Sequence, residues 1–587
     1  MDPNSYIPGP SAQIMNASGR LNQNLSGTWK MIVDQMDNGY YNYRWMRKPD
    51  SDTFFADDKY FESTTRLIEY DFDYSDELTV PGDWNTQHPE LLYYEGSIWY
   101  RKTFNAEPKE GMRYFVWFGA VNYEAIVGIN GKVIGRHVGG FTPFNFEITG
   151  LLKEGLNSLV VKVNNARHQD SVPTLNCDWW NYGGITREVR ILEVPSTFIR
   201  EHSVTLSEDR KNIEGWVKLD GAAAAGQKVR VSIPELKFNV EAVAGEDGVA
   251  RFSRKAQPSL WSPSSPKLYD VAVSCGQDCI NDRIGFRTIK VDGKRLLLNG
   301  EDIFCKGVAI HEEQIGAGGR AWSEAHARDL LCAAKELGCN FVRLAHYPHN
   351  EYMTRLADEM GIMVWSEVPV YWTISWTKPE TYRNACAQLT DMITRDRNRA
   401  SVIIWSVANE TPRGEDRLKF LSGMIDLAHE IDPTRLVSAA MEKREREDGI
   451  LTMDDELVNK SDIISFNQYV GWYDGSFDKC RRVKWEFDVE KPIIITELGG
   501  GVKAGYHGDV RERFTEEYGV ELYKAQIEML EAMPWLNGIS PWILKDFRSP
   551  RRQLPVIQGV YNRKGLLSET GEKKDCWYVL HDWYLTK

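Results

Sequence analysis

The second half of the chain is built from short apolar runs rich in β-branched residues, each closing on a polar or aromatic position. They are Ile303 to Gly307, Phe341 to Leu344, Ile362 to Glu367, Val402 to Glu410, Leu436 to Ala440, Ile463 to Asn467, Ile493 to Glu497 and Gly538 to Trp542. Runs without polar alternation predict strands buried on both faces of a parallel sheet. Amphipathic stretches between them predict helices, such as Ala325 to Leu337 with its Gly338 stop and Thr381 to Arg395 after Pro379. Strand and helix units repeating in this way over roughly 300 residues predict a (β/α)8 TIM barrel.

Upstream the period changes to short alternating runs split by turn residues. Tyr123 to Ile129, the Asn130-Gly131 turn and Lys132 to Gly135 read as a hairpin. A second series, Val217 to Leu219, Val229 to Ile233, Phe238 to Val243 and Tyr269 to Val273, follows the strand Glu188 to Val194 and Pro195. Two β-sandwiches are expected, over 21–195 and 196–288, ahead of a barrel over 289–587. Residues 1–20 read as a leader or a remnant of one, with Tyr6 to Arg20 loose.

An acid that ends a buried parallel strand cannot face the core, so it stands at the carboxyl edge where barrels keep their chemistry. On the strand count Glu410 ends strand four and Glu497 ends strand seven. Two such carboxylates at one mouth suit glycoside hydrolysis, in which one protonates the departing oxygen and the other attacks the anomeric carbon or activates water. Glu367, ending strand three, shows that a strand-end acid can also be structural. Asn409 beside Glu410, together with His311, Arg343, His346, Asn467, Tyr469 and Trp542 at other strand ends, makes a polar and aromatic lining suited to a sugar.

Charge and composition narrow the partners. A net charge of −13 over 587 residues leaves no basic surface to dominate phosphate binding, so nucleic acid is not expected. No apolar run approaches the roughly 18 residues of a membrane span. Aromatic residues make up 12% of the chain, enough for sugar platforms as well as core. Nine scattered cysteines do not form a disulfide framework, and Cys275 with Cys279 lacks the further ligands of a zinc site. No metal and no organic cofactor is expected. Met1-Asp2-Pro3-Asn4-Ser5 lacks the charged and apolar regions of a secretory signal; the loose leader favours an exported or periplasmic protein, with the cytoplasm as the alternative, and a homo-oligomer is open.

Trp405-Ser406-Val407-Ala408-Asn409-Glu410, Thr496-Glu497 with its following glycines, and Arg343-Leu344-Ala345-His346-Tyr347-Pro348 together resemble glycoside hydrolase family 2. Leu260-Trp261-Ser262-Pro263, Gly285-Phe286-Arg287 and Gly183-Gly184-Ile185 extend the resemblance over nearly the whole chain. It implies a jelly-roll sugar-binding-like domain, an immunoglobulin-like sandwich and a catalytic barrel, with retention of anomeric configuration. Glu410 would be the acid/base, Glu497 the nucleophile and Asn409 the ligand of the 2-hydroxyl, with Trp542 flooring the sugar.

Within that family Asn562-Arg563-Lys564-Gly565 resembles the element by which β-glucuronidases bind the C6 carboxylate, and an amide beside an ammonium complements an anion. Tyr469 would hydrogen-bond the nucleophile, Tyr473 would border the sugar, and Asp178 would reach a distal hydroxyl from the first domain. The resemblance therefore implies a retaining exo-β-glucuronidase acting on a glucuronide or a uronic-acid-containing glycan. The alternatives are a β-galacturonidase or β-galactosidase on the same scaffold, or a sugar-binding protein without turnover. Gln558 stands where related glucuronidases often carry arginine. The short loop from Val368 through Lys378 leaves the mouth open to bulky leaving groups, with Tyr371, Trp372 and Trp376 available either to line it or to pack on the rim.

Overall fold

A computed structural model describes residues 9–37, 72–316, 318–533 and 535–587. The start of the expected leader, residues 1–8, lies outside the described residues. The barrel strands, in chain order, are β1 (Cys305–Lys306 continuing to Ala309–Ile310), β2 (Phe341–Leu344), β3 (Met363–Glu367), β4 (Val402–Asn409), β5 (Leu436–Glu442), β6 (Ile464–Asn467), β7 (Ile493–Glu497) and β8 (Leu536–Ile539). Every neighbouring pair is parallel. The two pieces of β1 do different work: Cys305–Lys306 pairs with β8 and Ala309–Ile310 pairs with β2. Closure of the sheet therefore falls within one strand, and Gly307 at the break lies where an added Cβ would meet the Ile539 carbonyl at 2.5 Å. The apolar pattern places this strand at 303–307 because it registers burial and not the change of partner.

The helices Glu324–Glu336 and Pro379–Asp396 stand one or two residues from their expected bounds. Ser323 caps the first through its side chain, and Pro379 opens the second. Trp405 of β4 points outward into the layer between sheet and helices and donates to Asp432 at 2.9 Å. Ile403 and Ile404 pack with Phe341, Trp365 and Ile494 in a separate cluster. Among the described residues no helix is long and apolar enough to cross a membrane.

Upstream lie the two sandwiches. The first packs a six-stranded sheet against a four-stranded one around Trp29, Trp84, Val127 and Val161. Its hairpin pairs Ile129 with Lys132, and positive φ at both Asn130 (50°) and Gly131 (85°) gives the turn that matches strand twist. The second sandwich pairs a three-stranded and a four-stranded sheet around Val217, Val231 and Val273.

Residues 11–20 are not loose: Ser11 joins Asn145 through the backbone, Ile14 is buried, and Arg20 pairs with Asp278 at 3.1 Å. The buried side chains of Ile14, Met15 and Ala17 and an arginine with a fixed partner hold this stretch between the sandwiches.

The second sandwich is fastened to the barrel by polar contacts that burial makes strong. Trp261 donates to the Asp358 carbonyl at 2.8 Å, and Arg287 caps the carbonyls of Ala400, Val402 and Thr434. Asp282 pairs with Arg399 and with Arg355 at 2.9 Å, and accepts from Asn16 at 3.3 Å. Burial opposes its charge, but the two arginines overcome this and hold the carboxyl well below the usual carboxylate range.

Removing the anion should leave two cations facing each other in the interface. Asp282→Ala is expected to cost about 3–5 kcal/mol, read as a clear drop in the thermal unfolding midpoint. An unchanged midpoint would show that this cluster does not fasten the domains.

Candidate active site

At the carboxyl edge of the barrel, the end of β2 places Arg343 with no exposure at all. Its guanidinium donates to both oxygens of Glu367, at 3.1 and 3.0 Å, to Glu497 Oε1 at 2.8 Å and to Asn409 Oδ1 at 2.6 Å. One fixed cation thus ties the ends of β3, β4 and β7 together through charge-assisted bonds. Glu367 also meets His346 Nδ1 at 2.7 Å and Trp365 Nε1 at 2.8 Å. Burial works against its ionisation, yet Arg343 and His346 hold it at about 2. Glu367 is a permanent anion committed to its neighbours.

Glu497 and Glu410 occupy different surroundings. Glu497 has the Arg343 cation on Oε1 and the Tyr469 hydroxyl on Oε2 at 2.6 Å. Burial and the charges of Glu497 and Glu410 raise the Tyr469 phenol far above its ordinary value, so it remains a donor. Glu410 receives only neutral donors: Asn467 Nδ2 on Oε1 at 2.9 Å and Trp372 Nε1 on Oε2 at 2.9 Å. Burial first, then the charge of Glu497, pushes its carboxyl up to about 7. Glu410 is thus the carboxyl pushed toward neutral pH, whereas Glu497 has a guanidinium directly on it. Glu410 and Trp372, bonded to each other, both have left-handed backbone, at φ 46° and 54°. Such conformations are costly for large side chains and concentrate at functional sites.

A second cluster stands beside the pair. Lys564 Nζ donates to the Tyr473 hydroxyl at 2.8 Å and lies 5.2 Å from the Tyr469 ring centroid. Burial alone would raise the Tyr473 phenol, but Lys564 and Arg552 outweigh it and hold it below its ordinary value. Asn562 donates to Asp178 Oδ2 at 3.1 Å. Asp178 comes from the first sandwich and also accepts from Ser549 at 2.6 Å and from Arg552 through a two-point ion pair. Expected site residues from three separate stretches of chain, Asp178, Tyr469 with Tyr473, and Asn562 with Lys564, are therefore brought together.

The floor is aromatic. Trp542 stacks on His346 at 4.7 Å and meets His311 edge-on at 5.2 Å. His311 joins Tyr347 at 3.1 Å, and burial holds its imidazole far below the ordinary histidine value, so it is neutral. Trp179 of the first sandwich packs on His311, His346 and Tyr371.

Of the three aromatics after β3, Tyr371 and Trp372 face the site, whereas Trp376 packs edge-on against Phe420 at 5.3 Å on the rim. Gln558 accepts from the Leu554 amide at 3.1 Å and serves its own loop. The guanidinium supplied in this region comes instead from Arg552. Among the described residues no group of histidine, cysteine or acidic side chains could hold a metal ion.

Sequence models of the glycosyl hydrolases family 2 sugar binding domain, of glycosyl hydrolases family 2 and of its TIM barrel domain match residues 23–195, 197–287 and 289–533. The chain belongs to glycosyl hydrolases family 2. A β-glucuronidase of Paenibacillus borealis is 28% identical, with 94% of this chain and 95% of the relative covered. The chain spans 66% of the length of a Formosa agariphila relative at 28% identity. Among solved structures, a Bifidobacterium dentium β-glucuronidase complexed with coumarin-3-O-glucuronide superposes with a TM-score of 0.83 at 23% identity, covering 98% and 99% of the two chains. An Eisenbergiella tayi family 2 β-galacturonidase bound to galacturonate gives 0.80 at 25% identity, covering 98% and 99%. The family makes the chain a glycoside hydrolase with a jelly-roll sugar-binding domain, an immunoglobulin-like sandwich and a TIM barrel.

The Trp372 bond favours the charged form of Glu410, so removing it should raise this carboxyl further. Trp372→Phe is expected to move the alkaline limb of the pH–rate profile to higher pH than the wild-type limb near 7. A limb that stays in place or moves down would contradict the assignment of that limb to Glu410.

Proposed function

We propose that this glycoside hydrolase is a retaining, exo-acting β-glucuronidase. Glu410, protonated up to about pH 7, gives its proton to the glycosidic oxygen while Glu497 attacks the anomeric carbon. Before the attack Arg343 holds Oε1 of Glu497 and the Tyr469 hydroxyl holds Oε2, so the carboxylate is fixed in orientation. Glu410, now a base, then takes a proton from the water that releases the sugar from Glu497. Asn409 Oδ1 is occupied by Arg343, while its buried Nδ2 has no partner among the described residues. That amide is a ready donor for the sugar 2-hydroxyl, and Trp542 supplies the floor.

The observation that carries the uronate reading is the position of Lys564. Its ammonium stands over the rings of Tyr469 and Tyr473, one residue from the carboxylate pair through Tyr469, and has no carboxylate partner among the described residues. Asn562, next to it, is aligned by Asp178. An ammonium and an amide donor in an aromatic surround match the C6 carboxylate of a uronic acid. The Paenibacillus borealis relative, and others from Streptococcus agalactiae and Bacteroides fragilis, carry the β-glucuronidase name. Asp178, expected to reach a distal hydroxyl, is already neutralised by Arg552, and in this reading it orders the clamp as well. The Eisenbergiella tayi likeness keeps β-galacturonidase as the second reading, since the same clamp would hold either uronate. Matched nitrophenyl glucuronide and galacturonide separate the two.

Truncating the clamp should expose the charge preference. Lys564→Ala is expected to cost about 2–5 kcal/mol of transition-state binding, a fall of roughly 30-fold to several thousand-fold in kcat/KM for a glucuronide. Slow cleavage of the matching neutral glucoside should fall far less. An equal loss on both substrates would make Lys564 a structural residue and remove the main support for a uronidase.

A further inference from the structure

Ser549-Pro550-Arg551-Arg552 sends two adjacent arginines to the barrel mouth, and they meet different fates. Arg552 is spent on Asp178. Arg551 is exposed, donates only to the neutral side-chain oxygen of Asn176, and has no carboxylate partner among the described residues. Its guanidinium carbon lies 4.8 Å from the centroid of the Trp372 ring. Trp372 in turn donates to Glu410 at 2.9 Å, and its own amide is fixed by the Asn409 carbonyl at 3.0 Å. The Arg551 amide is tied to Ser549 Oγ at 3.3 Å, the same hydroxyl that binds Asp178. An uncompensated cation is thus held in a defined place beside the proton donor.

That place has a chemical meaning. The group bonded to the oxygen that Glu410 protonates is the leaving group, so whatever borders Glu410 through Trp372 borders that group. A guanidinium stacked on an aromatic face keeps donors in its plane free for a planar or tetrahedral anion.

We propose that Arg551, Trp372 and Asn176 form a subsite for the sugar that leaves, and that this sugar carries an anionic substituent, a carboxylate or a sulfate ester. The natural substrate is then an acidic oligosaccharide whose terminal glucuronic acid is removed from a second charged residue. This rests on the glucuronidase reading and adds to it. Lys564 selects the residue cleaved off, and Arg551 selects the residue next to it.

The test uses the full chain and three disaccharides in which glucuronic acid is β-linked to glucose, to glucose 6-sulfate and to a second glucuronic acid. The measured quantity is the ratio of kcat/KM for each charged disaccharide to that for the neutral one. In the wild type at least one ratio is expected to reach about 10- to 100-fold, the range of a charge-assisted contact, and the arm that shows it identifies sulfate or carboxylate. Arg551→Ala should bring that ratio to within about twofold of one, and Arg551→Lys should keep part of it. A wild type without charge preference, or a preference that survives Arg551→Ala, overturns the subsite. Were Arg551 only packing on Trp372, or were it reading the cleaved sugar itself, all three substrates would fall together and the ratio would not move. If the wild type cleaves none of the three and no nitrophenyl glucuronide, the glucuronidase reading fails, and the subsite with it.

Discussion

The buried guanidinium of Arg343 is the constraint on which the site depends. It has no access to solvent and is bonded to Glu367, Glu497 and Asn409. Desolvating a cation is costly unless it is fully paired, so its partners cannot move away cheaply. Fixing it fixes the ends of three strands. It also sorts the carboxylates by charge: Glu367 and Glu497 share the cation, whereas Glu410 has only indole and amide donors and is pushed up by burial and by Glu497. The division of labour between acid and nucleophile follows from which carboxyl group touches Arg343. Without it, three acids would crowd one mouth and compete for protons.

The barrel does not complete the site alone. Asp178 and Trp179 come from the first sandwich, and Asp178 reaches Ser549 across 371 positions of sequence. Asp178 and Trp179 sit on an irregular stretch, so their position depends on how the sandwich is seated. Polar contacts do this seating: Arg187 of the first sandwich pairs with Glu312 at 3.2 Å and donates to the Pro348 carbonyl, while Arg287 and Asp282 hold the second sandwich to the barrel. The order of parts is then physical: sandwiches anchor to the barrel, the first sends a loop over the mouth, and the loop orders the cluster around Asn562.

The sequence showed the barrel and its two acids because parallel strands buried on both faces write themselves as unbroken apolar runs, and an acid at the end of such a run has one place to go. The hairpin at Asn130-Gly131 was equally legible, since positive φ at two consecutive positions selects those residues. Trp372, Arg551 and Arg552 were not given their places by any periodicity. They stand in loops, and their contacts are with residues hundreds of positions away or on other strands. Gln558 stands where the motif resemblance implies arginine, yet the cation of that region arrives from Arg552 by another path. The split in β1 and the packing of residues 11–20 were hidden for a related reason: both depend on partners, and a chain pattern records burial better than it records neighbours.

The most direct measurement is to trap the sugar on the enzyme with 2-deoxy-2-fluoro-β-glucuronosyl fluoride, whose fluorine slows release of a covalent intermediate, and to map the modified peptide by mass spectrometry. The assignment built on Arg343 predicts one sugar per chain, attached to Glu497, with Glu410 unmodified. Attachment to Glu410, or turnover with an inverted product and no adduct, would contradict it.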